Sequence, residues 1–292
     1  MAANVLFDAP GPNTRRRHLV YSVVFVVVIL SALTWVGFKL KSAGQFEPRI
    51  FEDLFASNIL KALFDGMLNT LKAAALAIVL SVVLGFLLAV GRLSDHRLVA
   101  VPCRWVIEFF RAVPLLLLII LIFGLLGGRG METSTRGLIS LVGGLMLYNG
   151  AVLAEVFRAG IGAVPKGQSE AAYAIGMRKT QVMNIVLVPQ AVRIMLPTII
   201  SQCVVVLKDT SLGFIVAYGE LLRETRLVAQ FVNNNLWPYL LAALMYIVLN
   251  SIVSAVATYA QKRSAGRGSK SDTPAAVEGA GMETGRAGAA AV

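Results

Sequence analysis

The chain has 292 residues, of which 57% are hydrophobic and only 15% charged, whereas soluble domains carry about 25% charge. Apolar runs of about twenty residues recur along it, each long enough to cross a bilayer, so an ordinary soluble domain is excluded in favour of an all-α integral membrane protein. The formal net charge of +11 would raise nucleic acid as a partner for a soluble chain, but here the basic residues gather at the ends of apolar runs. There they set orientation and meet membrane lipid, and no nucleic-acid module stands apart from them.

Residues 1–18 read as a cytoplasmic tail, with Pro10, Gly11 and Pro12 early and Arg15, Arg16 and Arg17 holding its end inside. The apolar run over residues 19–38 exceeds the roughly 7–15 residues of a signal-peptide core, and no A-x-A site follows, so it is predicted to be an uncleaved helix. Segment 19–65 then holds this extra N-terminal transmembrane helix and an outer interfacial stretch, where Phe51, Leu54, Phe55, Ile59, Ala62 and Leu63 recur near helical spacing.

Residues 66–260 form the main transmembrane domain. Its first helix is predicted over 66–93, where Ala73, Ala77, Ser81, Gly85 and Ala89 fall four apart and make a small-residue stripe for close helix packing. The next, over 105–126, is interrupted between Glu108 and Pro114; Glu108 and Arg111 sit three apart and share a face as an expected ion pair. A further helix spans 138–157. Cys103 and Cys203 lie in or beside apolar segments without metal-ligand spacing, so neither a disulfide nor a zinc site is expected.

The stretch 155–189 is the longest polar-containing segment between strongly apolar runs, and it carries Arg158, Lys166, Arg178 and Lys179. Val164-Pro165-Lys166-Gly167 breaks the preceding helix. A new one starts near Gln168 and Ser169, with Glu170 early enough to favour its N-terminal dipole, and Gly176 stops it. A second amphipathic turn follows before Val188-Pro189 resets the chain, giving a helical hairpin outside the bilayer at about 158–189.

Glu170-Ala171-Ala172, Gly176, and then Val186, Val188 and Pro189 resemble the E-A-A loop of bacterial ABC-importer membrane subunits, with valine at both the Ile and Leu positions of the usual I-x-L-P ending. E-V-F-R-A-G-I-G-A-V-P-K-G-Q from Glu155, R-I-M-L-P from Arg193 and K-D-T-S-L from Lys208 narrow the likeness to the polar-amino-acid permease family of glutamate, glutamine and histidine type. The resemblance runs from about Gly66 to Tyr259; around Pro114 it departs, with Ala112-Val113 where the family commonly has Gly-Thr.

The resemblance implies a type I importer permease fold of about six transmembrane helices. It also implies that Lys166, Gly167, Glu170, Ala171, Ala172, Gly176 and Pro189 belong to a coupling loop that docks on a cytoplasmic ATPase. Small residues at 171, 172 and 176 would permit close approach, and the flanking charges could pair across the contact. The implied partners are two ATP-binding subunits, a second permease subunit that is either a copy or a paralogue, and an extracytoplasmic substrate-binding protein. No G-x-x-x-x-G-K-[ST] loop occurs, so the chain is expected to hydrolyse nothing itself and to hold no cofactor; ATP and Mg belong to the partner ATPase.

The fifth helix is predicted over 191–216, bent at Pro197, and the sixth over 237–259, with an outer segment carrying Glu220, Arg223, Glu224 and Arg226 between them. Lys208, Asp209 and Ser211 lie in the fifth. Ionisable groups in a membrane segment cost roughly 2.5–3.5 kcal/mol each, so they face a partner, a cavity or a pathway. Lys208 and Asp209 either neutralise each other or meet the ends of an amino acid; the resemblance places this region on the translocation path, with Asn149 a further candidate or else helix-to-helix glue.

Residues 261–292, rich in Gly, Ala and Ser, read as a disordered cytoplasmic tail. This topology puts about sixteen of the 27 Lys and Arg inside, so both termini are expected in the cytoplasm of a bacterial cell, with the chain in its plasma membrane. The expected function is ATP-driven import of a polar amino acid, glutamate or a related acidic or amide amino acid, by alternating access. The alternative is an ion-coupled secondary transporter, which often shows internal repeats around a midplane site; Pro197 offers one helix break, but no repeat is found.

Overall fold

The structure, a computed structural model, describes residues 12–266, with side chains described from Thr14 to Tyr259; the expected ends of both tails lie outside these bounds. Among the described residues every element is helical: α1 (Pro12–Ser42), α2 (Pro48–Leu54), α3 (Ser57–Arg92), α4 (Arg97–Ala112), α5 (Leu115–Leu125), α6 (Thr133–Gly162) and α7 (Lys166–Ala174). The one-turn α8 (Lys179–Gln181) opens a π-helical stretch (Val182–Leu187), followed by α9 (Val188–Asp209), a 3-10 segment (Thr210–Val216), α10 (Leu221–Phe231) and α11 (Leu236–Gly266).

Among the described residues five helices are long and apolar enough to span a membrane, and the bent pair α4–α5, taken as one span, raises the number to six. The predicted spans stand, but their ends move. α3 begins at Ser57, nine residues before the expected 66, because Leu54, Ile59 and Leu63 are buried against Leu221, Val228 and Ala242 beneath α10. The stretch expected at the interface is therefore built from the seven-residue α2 and the first turns of α3. α1 begins at Pro12 and α11 runs to Gly266, so residues expected in the flanking tails are helical.

The interrupted third span is a corner. α4 and α5 meet at 101°, since Pro114 has no N–H for the helical ladder and holds Val113 extended (ψ 129°). The expected Glu108–Arg111 pair is replaced by Arg104, whose Nε donates to Glu108 Oε1 at 2.8 Å one turn earlier. Pro197, by contrast, leaves α9 unbroken, and Ser201 Oγ bonds its carbonyl at 3.0 Å.

The core forms where α3 and α6 run side by side. Ala73, Ala77, Ser81, Gly85 and Ala89 are all buried along α3, and a Cβ on Gly85 would sit 2.8 Å from the Gly150 carbonyl oxygen of α6. Thus the small-residue stripe packs helices together. Ser81 Oγ also donates to the Leu145 carbonyl at 3.3 Å. α9 returns against α6, and α11 lies on α9 and α10. The bundle has two polar ends: one where the start of α3 meets α10, the other where the ends of α3 and α6 meet the segment from α7 to the π-helix.

Candidate functional site

At the second polar end, the chain leaves α6 at Gly162, turns through buried Val164, and restarts at Lys166 behind Pro165. A proline just ahead of the first helical residue has its φ preset and no N–H to leave orphaned. Lys166 and Gly167 form the exposed first turn, where Ser169 Oγ bonds the Lys166 carbonyl at 2.8 Å. Glu170, Ala171, Tyr173 and Ile175 point outward, Ile175 with 80% of its surface exposed. Ile175 caps the end of this nine-residue helix, and with Tyr173 it leaves an apolar pair on the outer surface.

Ala172 sits differently from expectation. It is buried against the chain itself, where α7 packs on the π-helical stretch, so it seats the helix and leaves close approach to the exposed Ala171. Gly176 ends α7 at φ +83°, in the left-handed region that glycine enters without penalty, and space around its Cα is open. Val188-Pro189 does not reset the chain. Residues from Lys179 to Val216 form one helical span, and the widened π turn accommodates a proline that would strain an ordinary ladder. Pro189 lies exposed in the first turn of α9, and Gln190 Nε2 bonds Gln168 Oε1 at 3.2 Å, tying α9 to α7.

Three ionic contacts hold this end. Glu155 accepts from Arg92 of α3 and, at 3.1 Å, from Arg158 Nε on its own helix. The Arg92–Glu155 pair is only 19% exposed on each side, shielded enough to matter, and it fixes the ends of α3 and α6 together. Lys179 pairs with Asp95, joining the α3–α4 corner to the start of the fifth span. Glu155 and Arg158 sit three apart on one helix, whereas the Arg92 and Asp95 partners come from 63 and 84 residues away.

The candidate path residues separate. Asn149 is fully buried in α6, donating to the Leu145 carbonyl at 3.0 Å and accepting from Gln202 Nε2 of α9 at 2.7 Å. Both its amide ends are used, so here it joins helices. Lys208 and Asp209 make no ion pair with each other among the described residues; successive helical positions point about 100° apart. Lys208 is exposed and lines the groove between α9 and α11 with Asn250 and Ser254 on one side and Ser211 on the other, while Asp209 is half-buried.

Glu220 is the functional-looking residue that sequence reasoning passed over as one charge in an outer segment. It is fully buried, caps α10 by accepting from the backbone N–H of Leu222 and Arg223 at 2.8 Å each, and receives a third hydrogen bond from Tyr246 of α11. Burial pushes its pKa up to about 7 against the lowering effect of those three donors. Thr70 of α3, whose Oγ1 accepts from Leu221 N at 3.1 Å, completes a junction of three helices. The N-cap position before α10 was the available signal. Among the described residues no group of three or more His, Cys, Asp or Glu is placed to hold a metal ion.

Comparison with known proteins gives this arrangement a context. The chain is 38% identical over 230 residues to the glutamate transport system permease protein GluD of Corynebacterium glutamicum, covering 78% of this chain and 83% of that one. It is 30% identical to the glutamate/aspartate import permease protein GltK of Escherichia coli O157:H7, covering 70% and 93%. Among solved structures, an amino acid ABC transporter with histidines matches with a TM-score of 0.65 at 28% identity, covering 70% of this chain and 94% of that one. The MetNI methionine ABC transporter, at 14% identity and TM-score 0.61, covering 72% and 99%, shares the fold. Residues 81–266 match the family described as binding-protein-dependent transport system inner membrane components. This membership displaces the ion-coupled alternative: the chain belongs to that family, the multi-pass membrane permeases of ABC importers, with the type I importer fold.

Proposed function

We propose that this permease carries a polar amino acid, glutamate or a related acidic or amide amino acid, inward across a bacterial cytoplasmic membrane. The names of the relatives support the substrate class: glutamate for GluD, glutamate and aspartate for GltK. The observation that carries the mechanism is α7, with Glu170, Tyr173 and Ile175 turned outward and Ala172 seated on the stretch that continues into α9. In this reading two ATP-binding subunits, which hold ATP and Mg, take α7 into a cleft. A second permease subunit completes the pore, and an extracytoplasmic binding protein delivers substrate. Closure of the ATPases moves α7, and the Gln168–Gln190 and Lys179–Asp95 contacts pass the motion to α9 and α3. Lys208, Asp209 and Ser211 contact substrate on its way, with Asn149 holding the adjoining helices, and both termini lie in the cytoplasm with the α7 end.

The test is purification of the tagged chain from its bacterium in mild detergent, with Glu170→Arg alongside. The wild-type chain should bring down an ATPase whose hydrolysis, with the binding protein added, rises with glutamate and not with an aliphatic amino acid; the variant should lose the ATPase while remaining folded. Glutamate uptake by a wild-type chain that recovers no ATPase would overturn the mechanism.

A further inference from the structure

A cavity of about 460 Å³ lies between the ends of α3 and α6 and the π-helical stretch, within the range of small-molecule sites. Its walls are apolar, built from Phe86 of α3, Phe157 of α6, Met183 of the π-helix and Met195 of α9. Its rim is polar and carries Asp95, His96 and Lys179. Arg178 and Arg97, each adjacent in sequence to a rim residue, are exposed and form no ion pair among the described residues. The rim itself sets one lysine, Lys179, against one carboxylate, Asp95, with His96 beside them, and the two arginines follow or precede it by one residue. The cavity also sits at the polar end of the membrane-spanning α3, where Arg92 closes the helix.

An apolar chamber of this size, opening beside Lys179 at the edge of a membrane-spanning bundle, fits an amphiphile with a hydrocarbon chain and an anionic head that the lysine can meet. We infer that the cavity is a regulatory lipid site, which admits one acyl chain of an anionic phospholipid and holds its phosphate at Lys179. The regulatory part rests on the reading of α7 as the ATPase-coupling helix; the binding part does not. The phosphate competes with Asp95 for Lys179, freeing the α3–α4 corner from the start of the fifth span. The chain meanwhile fills the space beside Met183 and braces the π-helical stretch against Phe86 and Phe157. An occupied site thus stiffens the connection between α7 and α9.

The experiment uses the whole permease–ATPase complex in phosphatidylcholine vesicles, doped with either phosphatidylglycerol or phosphatidylcholine bearing a diazirine on one acyl chain. After illumination, labelled residues are mapped by mass spectrometry and glutamate-stimulated ATP hydrolysis is measured with and without unlabelled phosphatidylglycerol. The phosphatidylglycerol probe should mark Phe86, Met183 and Met195, and its yield there should fall about fivefold in Lys179→Gln, the loss of one lysine–headgroup contact. Val192→Trp, which adds bulk at a lining residue 42% exposed, should abolish the marks. Equal labelling by both lipids, labels confined to open lipid-facing helices such as α1, or labelling that ignores both variants would overturn the site. Cavity labelling by the anionic lipid with ATP hydrolysis indifferent to it would sink the regulatory claim alone. If no ATPase co-purifies, the coupling-helix reading fails while the labelling map still decides the lipid site.

Discussion

Tyr246 Oη donates to Glu220 Oε2 at 2.8 Å, so a tyrosine of the last span closes over a carboxylate that caps a helix outside the spans. That carboxylate is fully buried, and its pKa is raised from 4.5 to about 7. Folding therefore favours its protonated form. Below about pH 4.5 the group is neutral whether folded or unfolded and costs nothing; as pH climbs toward 7 the unfolded chain ionises first and stability declines, levelling off above the folded pKa. The melting temperature in detergent should drop between pH 5 and pH 8 in the wild type. Glu220→Gln, neutral throughout, should flatten that dependence. An equally steep decline in the variant would place its origin in another group.

Gly85 and Gly150 test the contact between α3 and α6. The Cβ of Gly85→Ala would lie 2.8 Å from the Gly150 carbonyl oxygen and 2.9 Å from Leu153 Cβ. The nearest atom is backbone, so the helices must part, and the expected loss is about 1–3 kcal/mol. Thermal unfolding of Gly85→Ala against Gly124→Ala, where nothing lies within 4 Å of the new Cβ, should show a lower midpoint for the first only.

The pair formed by Arg92 and Glu155 is shielded, so removing one partner leaves an under-solvated charge. Arg92→Glu and Glu155→Arg should each reduce substrate-stimulated ATP hydrolysis in the assembled complex. The double variant should recover much of the loss, although Arg158, also bonded to Glu155, will limit recovery by repelling the new arginine. Fully additive losses would show that the two residues act separately.

Gly176 tests backbone conformation apart from packing, because space around it is open while φ is +83°. Asparagine tolerates the left-handed region and β-branched residues do not. Gly176→Asn should retain the ATPase in a pull-down, and Gly176→Val should weaken its recovery while the strain lowers the melting temperature of the isolated permease by about 2–6 °C, short of unfolding it. Equal recovery from both variants would mean that the end of α7 need not keep this shape.

The spans were legible because each is long, apolar and bounded by charge, and the short helix after α6 because Pro165, the Glu170 triplet and Gly176 punctuate a polar stretch. The stripe from Ala73 to Ala89 announced its packing role through spacing alone. What escaped depends on partners remote in sequence. Asp95 finds Lys179 and Asn149 finds Gln202 only after the helices assemble, and neither periodicity nor hydropathy reports such distances. Of the two readings of Lys208 and Asp209, adjacency favoured mutual neutralisation, whereas neighbours in a helix face different ways. The early start of α3 was hidden because Asp65 and Lys61 make its first turns look like interface, while Leu63, between them, is buried.

The wide turn at Val182–Leu187 sets the azimuth of everything that follows it. Each residue advances an α-helix by about 100°, and a π turn takes in one residue more than the ordinary winding would. Deleting one residue there would leave the hydropathy profile of the fifth span almost untouched. If the winding became regular and α7 stayed in place, Gln202 would swing from Asn149 and Lys208 from its groove, so a change of one residue in 292 would redraw the polar map of the interior without altering its composition in any way that matters.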